Sequence, residues 1–154
     1  MQPGDTATAF ELLNDIIRAG GTTALETELD EARFAQYYMG EDLIACHVVL
    51  DAASRVAGFQ WIGVNPKLPE SCADIATFTR RTNSMRGAGR ALIGPTAKYA
   101  KDAGFSQINA TVRADNVSGL GYYSGIGFVD HSVRRAVPIA DGTCIDRISK
   151  RLIL

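Results

Sequence analysis

Apolar residues recur at helical spacing up to Gly40 and at strand spacing directly after it. The order in which the two periods alternate narrows the fold more than any other feature of this chain. Phe10, Leu13, Ile16 and Ile17 lie on one helical stripe, which Asp5 or Thr6 can cap and Gly20-Gly21 ends. Thr22-Thr23-Ala24 continues as a loop. Residues 29–39 predict a second helix, capped by Asp30, stopped by Gly40 and carrying Phe34, Tyr37 and Tyr38 as apolar area. Residues 43–50 and 56–64 are then apolar and β-rich. The short polar stretch 51–55 between them makes a hairpin. Asn65-Pro66 and Leu68-Pro69 punctuate its exit. Residues 74–79 read as a third strand, followed by a polar, glycine-bearing loop over 80–90.

Leu92, Thr96, Tyr99 and Ala103 form the next helical stripe, closed by Gly104. Pro95 conflicts with it: the missing amide donor and crowded preceding turn predict a kink or a disturbed first turn. Residues 107–112 read as a strand and 117–124 as a short helix weakened by Gly119 and Gly121. Residues 128–139 and 144–154 read as two closing strands around an Asp141-Gly142 turn. A short first strand at Gln2 and Pro3 would be barely long enough to count. The sequence has no internal repeat, low-complexity tract or linker. One mixed sheet with helices on both faces, an α/β (α+β) arrangement, accounts for the order.

The chain has 154 residues, a size that suits one domain, and it carries a formal net charge of −1. That balance gives no electrostatic reason to expect nucleic acid or an anionic membrane as partner. No apolar run approaches the length of a bilayer span, and the start lacks the pattern of a signal peptide. The cytoplasm is the default location. Cys46, Cys72 and Cys144 are widely spaced and read as ordinary thiols in a reducing compartment. Neither His47 nor His131 stands in a metal-ligand spacing, so no metal is expected.

The segment that bears on chemistry is Arg86-Gly87-Ala88-Gly89-Arg90-Ala91, which joins a strand to a helix. Small residues let the main chain approach a ligand closely. The free amides of a helix N-terminus suit phosphate oxygens. A glycine-rich turn without a ligand is the bland alternative for so short a pattern. It is not a P-loop, because no Gly-x-x-x-x-Gly-Lys-Ser/Thr occurs. A dinucleotide fingerprint needs a small residue where Leu92 stands, and glycines directly after the strand.

Arg86-x-x-Gly89-x-Ala91 matches the Arg/Gln-x-x-Gly-x-Gly/Ala signature of the GNAT superfamily of acetyltransferases, placed as there between a strand and a long helix. Asn116, Gly119, Tyr123, Gly127 and Phe128 stand at the spacings of the family's second hallmark. The chain therefore resembles a GNAT acetyltransferase. Asn14-Asp15-Ile16-Ile17 followed by Thr22-Thr23-Ala24 is similar to the phosphinothricin acetyltransferase-like branch. Two departures are the length of the 80–85 loop and Pro95.

The resemblance implies a mostly antiparallel sheet flanked by helices, with two splayed central strands. It implies transfer of an acetyl group from acetyl-CoA to a primary amine of a small molecule, by direct attack in a ternary complex. The amides of Gly87, Ala88, Gly89, Arg90 and Ala91 would bind the pyrophosphate, with Arg86 and Arg90 adding charge. The pantetheine arm would pair with main chain near Phe78 and Thr79, and Asn116 would hold it. Asn116 can equally cap the short helix that follows.

Tyr123 matches the family's general acid. A phenol near the departing sulfur can give it a proton, since a tyrosine pKa of about 10 lies slightly above that of a thiol. Packing in the core is its bland role. Tyr122 is expected to face elsewhere. The acceptor pocket is expected around residues 21–28, with Thr22 and Thr23, and the hairpin near Gln60 and Trp61. Turn chemistry is an equally good reading of Thr22 and Thr23, and core packing of Trp61.

The general base stays open among Glu26, Glu28, His47, Glu70, Asp74 and a water relay. A homodimer is usual in the superfamily. The competing functions are a non-catalytic acyl-CoA-binding or regulatory domain, a protein N-acetyltransferase, and a nicotinamide-dependent enzyme.

Overall fold

A computed structural model describes residues 1–82 and 84–154. Helix α1 (Thr6–Ala19) buries Ala9, Leu12, Leu13, Ile16 and Ile17, a stripe of helical period. Helix α2 (Glu31–Met39) starts behind Asp30, whose carboxylate accepts the Arg33 amide at 2.8 Å. Strands β1 (Leu43–Leu50) and β2 (Val56–Gly63) form the expected hairpin. Asp51 closes its turn by accepting the amides of Ala53 and Arg55. Strand β3 (Cys72–Thr79), helix α3 (Ala88–Asp102), strand β4 (Gln107–Arg113), helix α4 (Val117–Gly125) and strands β5 (Val129–Pro138) and β6 (Cys144–Ile153) complete the order.

The six strands make one sheet in the order β1-β2-β3-β4-β6-β5. Every neighbouring pair is antiparallel except β3 and β4. That parallel pair holds for three rungs only: Cys72 with Gln107, Ala73 with Ile108 and Asp74 with Asn109. Beyond Asp74 the two strands part. β3 stays bound to β2 as far as Thr79, and β4 to β6 as far as Arg113. The middle of the sheet is therefore a wedge, with unpaired main chain on both inner flanks.

Alternation of side chains sends successive residues to opposite faces. Phe59, Trp61 and Phe78 meet α1 and α2 in one core, with Phe34 and Tyr38. Ile75, Ile108, Ala110 and Val112 meet Ala100 of α3 and Tyr123 of α4 in the other.

Four expectations change. The chain start is a 3₁₀ turn over Pro3–Asp5, not a strand, and the Asp5 carboxylate accepts the Gln2 amide. Pro95 does not interrupt α3, which runs on to Asp102. The buried stripe of α3 is Ala88, Leu92, Thr96 and Ala100, whereas Tyr99 is half exposed. The bulk of Tyr99 suggested an inward position, but steps of four residues through two alanines let the helix lie close on the sheet. β3 also begins two residues early, because Cys72 and Ala73 supply the parallel rungs.

Candidate active site

The wedge opens into two cavities. The first, of about 470 Å³, is walled by residues 22–25, Trp61, Asp74, Thr77, Phe78, Thr111, Arg113, Asn116, Tyr123 and Arg147, among others. The second, of about 320 Å³, runs along the end of β3 past Thr79 to Gly89 of α3. Thr22, Thr77, Phe78, Asn116, Gly119 and Tyr122 are walls of both.

Tyr123 is buried, and its hydroxyl lies 3.0 Å from Thr77 Oγ1. Burial pushes its phenol well above the ordinary tyrosine value, against a smaller downward pull from the Thr77 hydrogen bond. It therefore keeps its proton at neutral pH. Gln60 Nε2 donates to Thr77 Oγ1 at 2.8 Å and to the Tyr122 hydroxyl at 3.2 Å. Tyr122 in turn donates to the Gly89 carbonyl at 2.8 Å. The rings of Tyr122 and Tyr123 are 4.9 Å apart, so Tyr122 belongs to the same cluster and does not face elsewhere.

Helix α4 begins at Asn116, whose Oδ1 accepts the Gly119 amide while its Nδ2 donates to the Thr22 carbonyl. The cap thus also holds the 22–25 segment over the wedge. The chain beyond that segment is fixed by Asn14, which exchanges two hydrogen bonds of 2.9 Å with the Leu29 main chain. Gly87 turns into α3 at a φ of +84°. The Ala88 amide already donates to Met85 and the Ala91 amide to Gly87. Those of Gly89 and Arg90 have no carbonyl within the helix to bond. Arg86 is exposed, and Arg90 donates to the Gly125 carbonyl.

The structure brings Thr22, Thr23, Trp61, Phe78, Asn116 and Tyr123 to one cavity and Thr79 and Gly89 to the next. Gln60 stands behind the wall as the donor to Thr77 and Tyr122. Asp74 is the one carboxylate lining either cavity, and it accepts from Asn65 and Asn109 at 2.8 Å. Glu28 pairs with Arg18, Glu26 accepts the Ala140 amide, and His47 meets Thr96 between β1 and α3. Three buried polar atoms of the first cavity, Thr22 Oγ1, Trp61 Nε1 and Arg147 Nη1, have no hydrogen-bond partner among the described residues. Thr77, Arg113, Arg134 and Arg147 also line this cavity and do not stand out in the sequence, because only register across the sheet brings them there.

No family model matches the sequence, and no curated protein does. Solved structures match along its whole length. A ribosomal-protein-alanine N-acetyltransferase from Brucella melitensis superposes at a TM-score of 0.88 with 16% identity, over 100% of this chain and 97% of its own. A GCN5-related N-acetyltransferase from Kribbella flavida superposes at 0.85 with 20% identity, over 100% and 95%. A GNAT superfamily phosphinothricin acetyltransferase from Sinorhizobium meliloti, solved in complex with acetyl-CoA, superposes at 0.86 with 19% identity, over 100% and 85%.

The chain has the GNAT fold. Strands β3 and β4, paired over three rungs only, part at the centre of that fold. Among the described residues no helix is long and apolar enough to cross a membrane.

Proposed function

We propose that this protein transfers an acetyl group from acetyl-CoA to the primary amine of a small molecule, by direct attack in a ternary complex. The whole chain, residues 1–154, acts as the one catalytic domain. The observation that carries the reading is the wedge itself: a gap in the sheet, with a protonated phenol at its wall and two cavities that share six wall residues. Two substrates, one in each cavity, can meet at the shared wall of Thr77 and Tyr122 beside Tyr123.

The residues fit the co-substrate. The Gly89 and Arg90 amides suit its phosphates, helped by the charge of Arg86 and by the nearby Gly87, Ala88 and Ala91 main chain. The unpaired flank of β3 near Phe78 and Thr79 offers main-chain groups to an extended amide-bearing arm, and Asn116 borders the same path. When bound, acetyl-CoA supplies an acyl carbon activated as a thioester. The nitrogen–carbon bond forms, the carbon–sulfur bond breaks, and Tyr123 gives its proton to the departing thiolate. Gln60 donating to Thr77, and Thr77 to Tyr123, is the hydrogen-bond order that leaves the phenolic proton free for this. Asp74, the one carboxylate on the cavity walls, would take the amine's proton through water. Main-chain amides of β3 can polarise the acyl oxygen.

Thr22, Thr23 and Trp61 border the acceptor side. Cytoplasmic location agrees with three free cysteines. A homodimer belongs to the same reading: β5 is an edge strand that exposes Val129 and Val133.

Titration calorimetry with acetyl-CoA and with NADH, followed by thiol release on a panel of amines, tests the proposal. Acetyl-CoA should bind and NADH should not, and at least one amine should release thiol. Acetyl-CoA binding with no thiol release from any amine would leave a non-catalytic acyl-CoA-binding domain in its place.

A further inference from the structure

Arg113, Arg147 and Arg134 stand directly opposite one another on β4, β6 and β5. Directly opposed residues of antiparallel strands share a face, so this is one row of three guanidinium groups, and all three line the first cavity. Like charges in such a row repel. Only Arg113 is neutralised locally, by Asp115 at 2.7 and 2.9 Å. Arg147 is 8% exposed and its Nη1 has no hydrogen-bond partner. It forms no ion pair among the described residues. Glu26 is close enough to act on its charge, yet spends its carboxylate on the Ala140 amide. Burial, with Arg113 beside it, disfavours the charged form of Arg147. An unpaired, buried guanidinium is costly, and a bound anion would offset that cost.

The anion is not supplied by the co-substrate's phosphates. Those fit the amides at the start of α3, which border the second cavity, and none of the three arginines lines that one. Arg113 lies four residues beyond Asn109, roughly 13 Å up the wedge. That sets the row level with Phe78, on the face that Asp74 and Thr111 share.

We infer that the acetyl acceptor carries an anionic group on the same molecule as its amine, and that Arg147 and Arg134 hold this group while the amine points into the wedge. This rests on the transferase reading and narrows it. Acceptors are amines with a carboxylate or phosphate, and polycations such as polyamines and aminoglycosides are excluded.

The test is thiol release with matched pairs: proteinogenic α-amino acids against their α-carboxamides, and phosphoethanolamine against ethanolamine. Spermidine serves as the polycation. The wild type should favour the anionic member of at least one pair by tenfold or more in kcat/KM, and which pair does so separates carboxylate from phosphate. Arg147→Gln and the exposed Arg134→Gln should each raise KM for that acceptor severalfold or more and shrink the preference, with acetyl-CoA affinity unchanged. Arg134→Gln keeps the test valid should Arg147→Gln fail to fold. Thiol release with neutral amines or spermidine as fast as with their anionic counterparts would overturn the inference and leave the transferase reading standing. No release from any amine would overturn both. An unchanged preference in Arg134→Gln and Arg147→Gln would remove the row from acceptor recognition.

Discussion

Tyr122 and Tyr123 are neighbours whose protons are engaged differently. Tyr122 donates to the Gly89 carbonyl, so its proton serves to tie α4 to the start of α3. Tyr123 meets only a hydroxyl, which can turn round and donate instead. Tyr123→Phe should therefore lower kcat by about a hundredfold to ten-thousandfold and leave the acetyl-CoA dissociation constant nearly unchanged. Tyr122→Phe should do the reverse: acetyl-CoA binding weakens severalfold, with a smaller change in kcat. Steady-state kinetics paired with calorimetry on both variants separates the two. Wild-type kcat in Tyr123→Phe, with chemistry rate-limiting, would make Tyr123 a packing residue. A β-carbon at Gly89 would come within 2.7 Å of the Tyr122 ring. Gly89→Glu thus displaces Tyr122 as well as filling the amide site, and lost binding in that variant would not tell the two apart.

The elements that build the site differ in how plainly the sequence announces them. Loop 20–30 is held at its far end by Asn14 and over the wedge by Asn116. Asn14 satisfies both main-chain groups of Leu29, and it is itself buried. Asn14→Ala leaves a buried amide and a buried carbonyl unpaired, at a cost of about 2–3 kcal/mol. A drop of that size in unfolding free energy by urea titration, with weaker acceptor binding as Thr22 loosens, is the expected result. In sequence, Asn14 was legible only as a family likeness.

The helices and strands were legible to within about two residues, at β1 and β6 from a β-rich run and at α4 despite its glycines. The α3 stripe was misjudged at Tyr99, since hydropathy weighs a tyrosine above the alanines that in fact face the sheet. Tyr123 and Asn116 could be read from spacing, because both sit on one short segment. The Arg113–Arg147–Arg134 row could not. Its alignment depends on the register of three strands, and β5 carries two irregularities on the way.

At the scale of the molecule, α3 is sealed to the β1–β2 side of the sheet partly by His47, whose Nδ1 lies 3.1 Å from the buried Thr96 hydroxyl. Burial, and secondarily the N-terminal ammonium, lowers the His47 pKa below its ordinary 6.5. The sign follows from linkage. The unfolded chain takes up this proton more readily than the folded one, so the contribution of His47 is complete above pH 6.5 and is lost as pH falls below it. Urea midpoints should decline through that range, and His47→Gln should flatten the decline. An identical pH profile in the variant would mean that other groups govern acid sensitivity.

The three-rung joint between β3 and β4 has a different kind of consequence. A sheet divided this way has inner borders as well as its outer edges on β1 and β5. Exposed borders recruit foreign strands, which is how sheets come to aggregate. Here the inner borders are walled by α4 and the 22–25 segment, with Thr22, Asn116, Gly119 and Tyr122 on both approaches. A strand that belongs to a folded neighbour brings its own sheet and flanking layers with it, whereas a single slender chain does not. The gap is in effect a sieve for width, and it lets the protein keep open hydrogen-bonding sites at its centre without inviting other proteins to fill them.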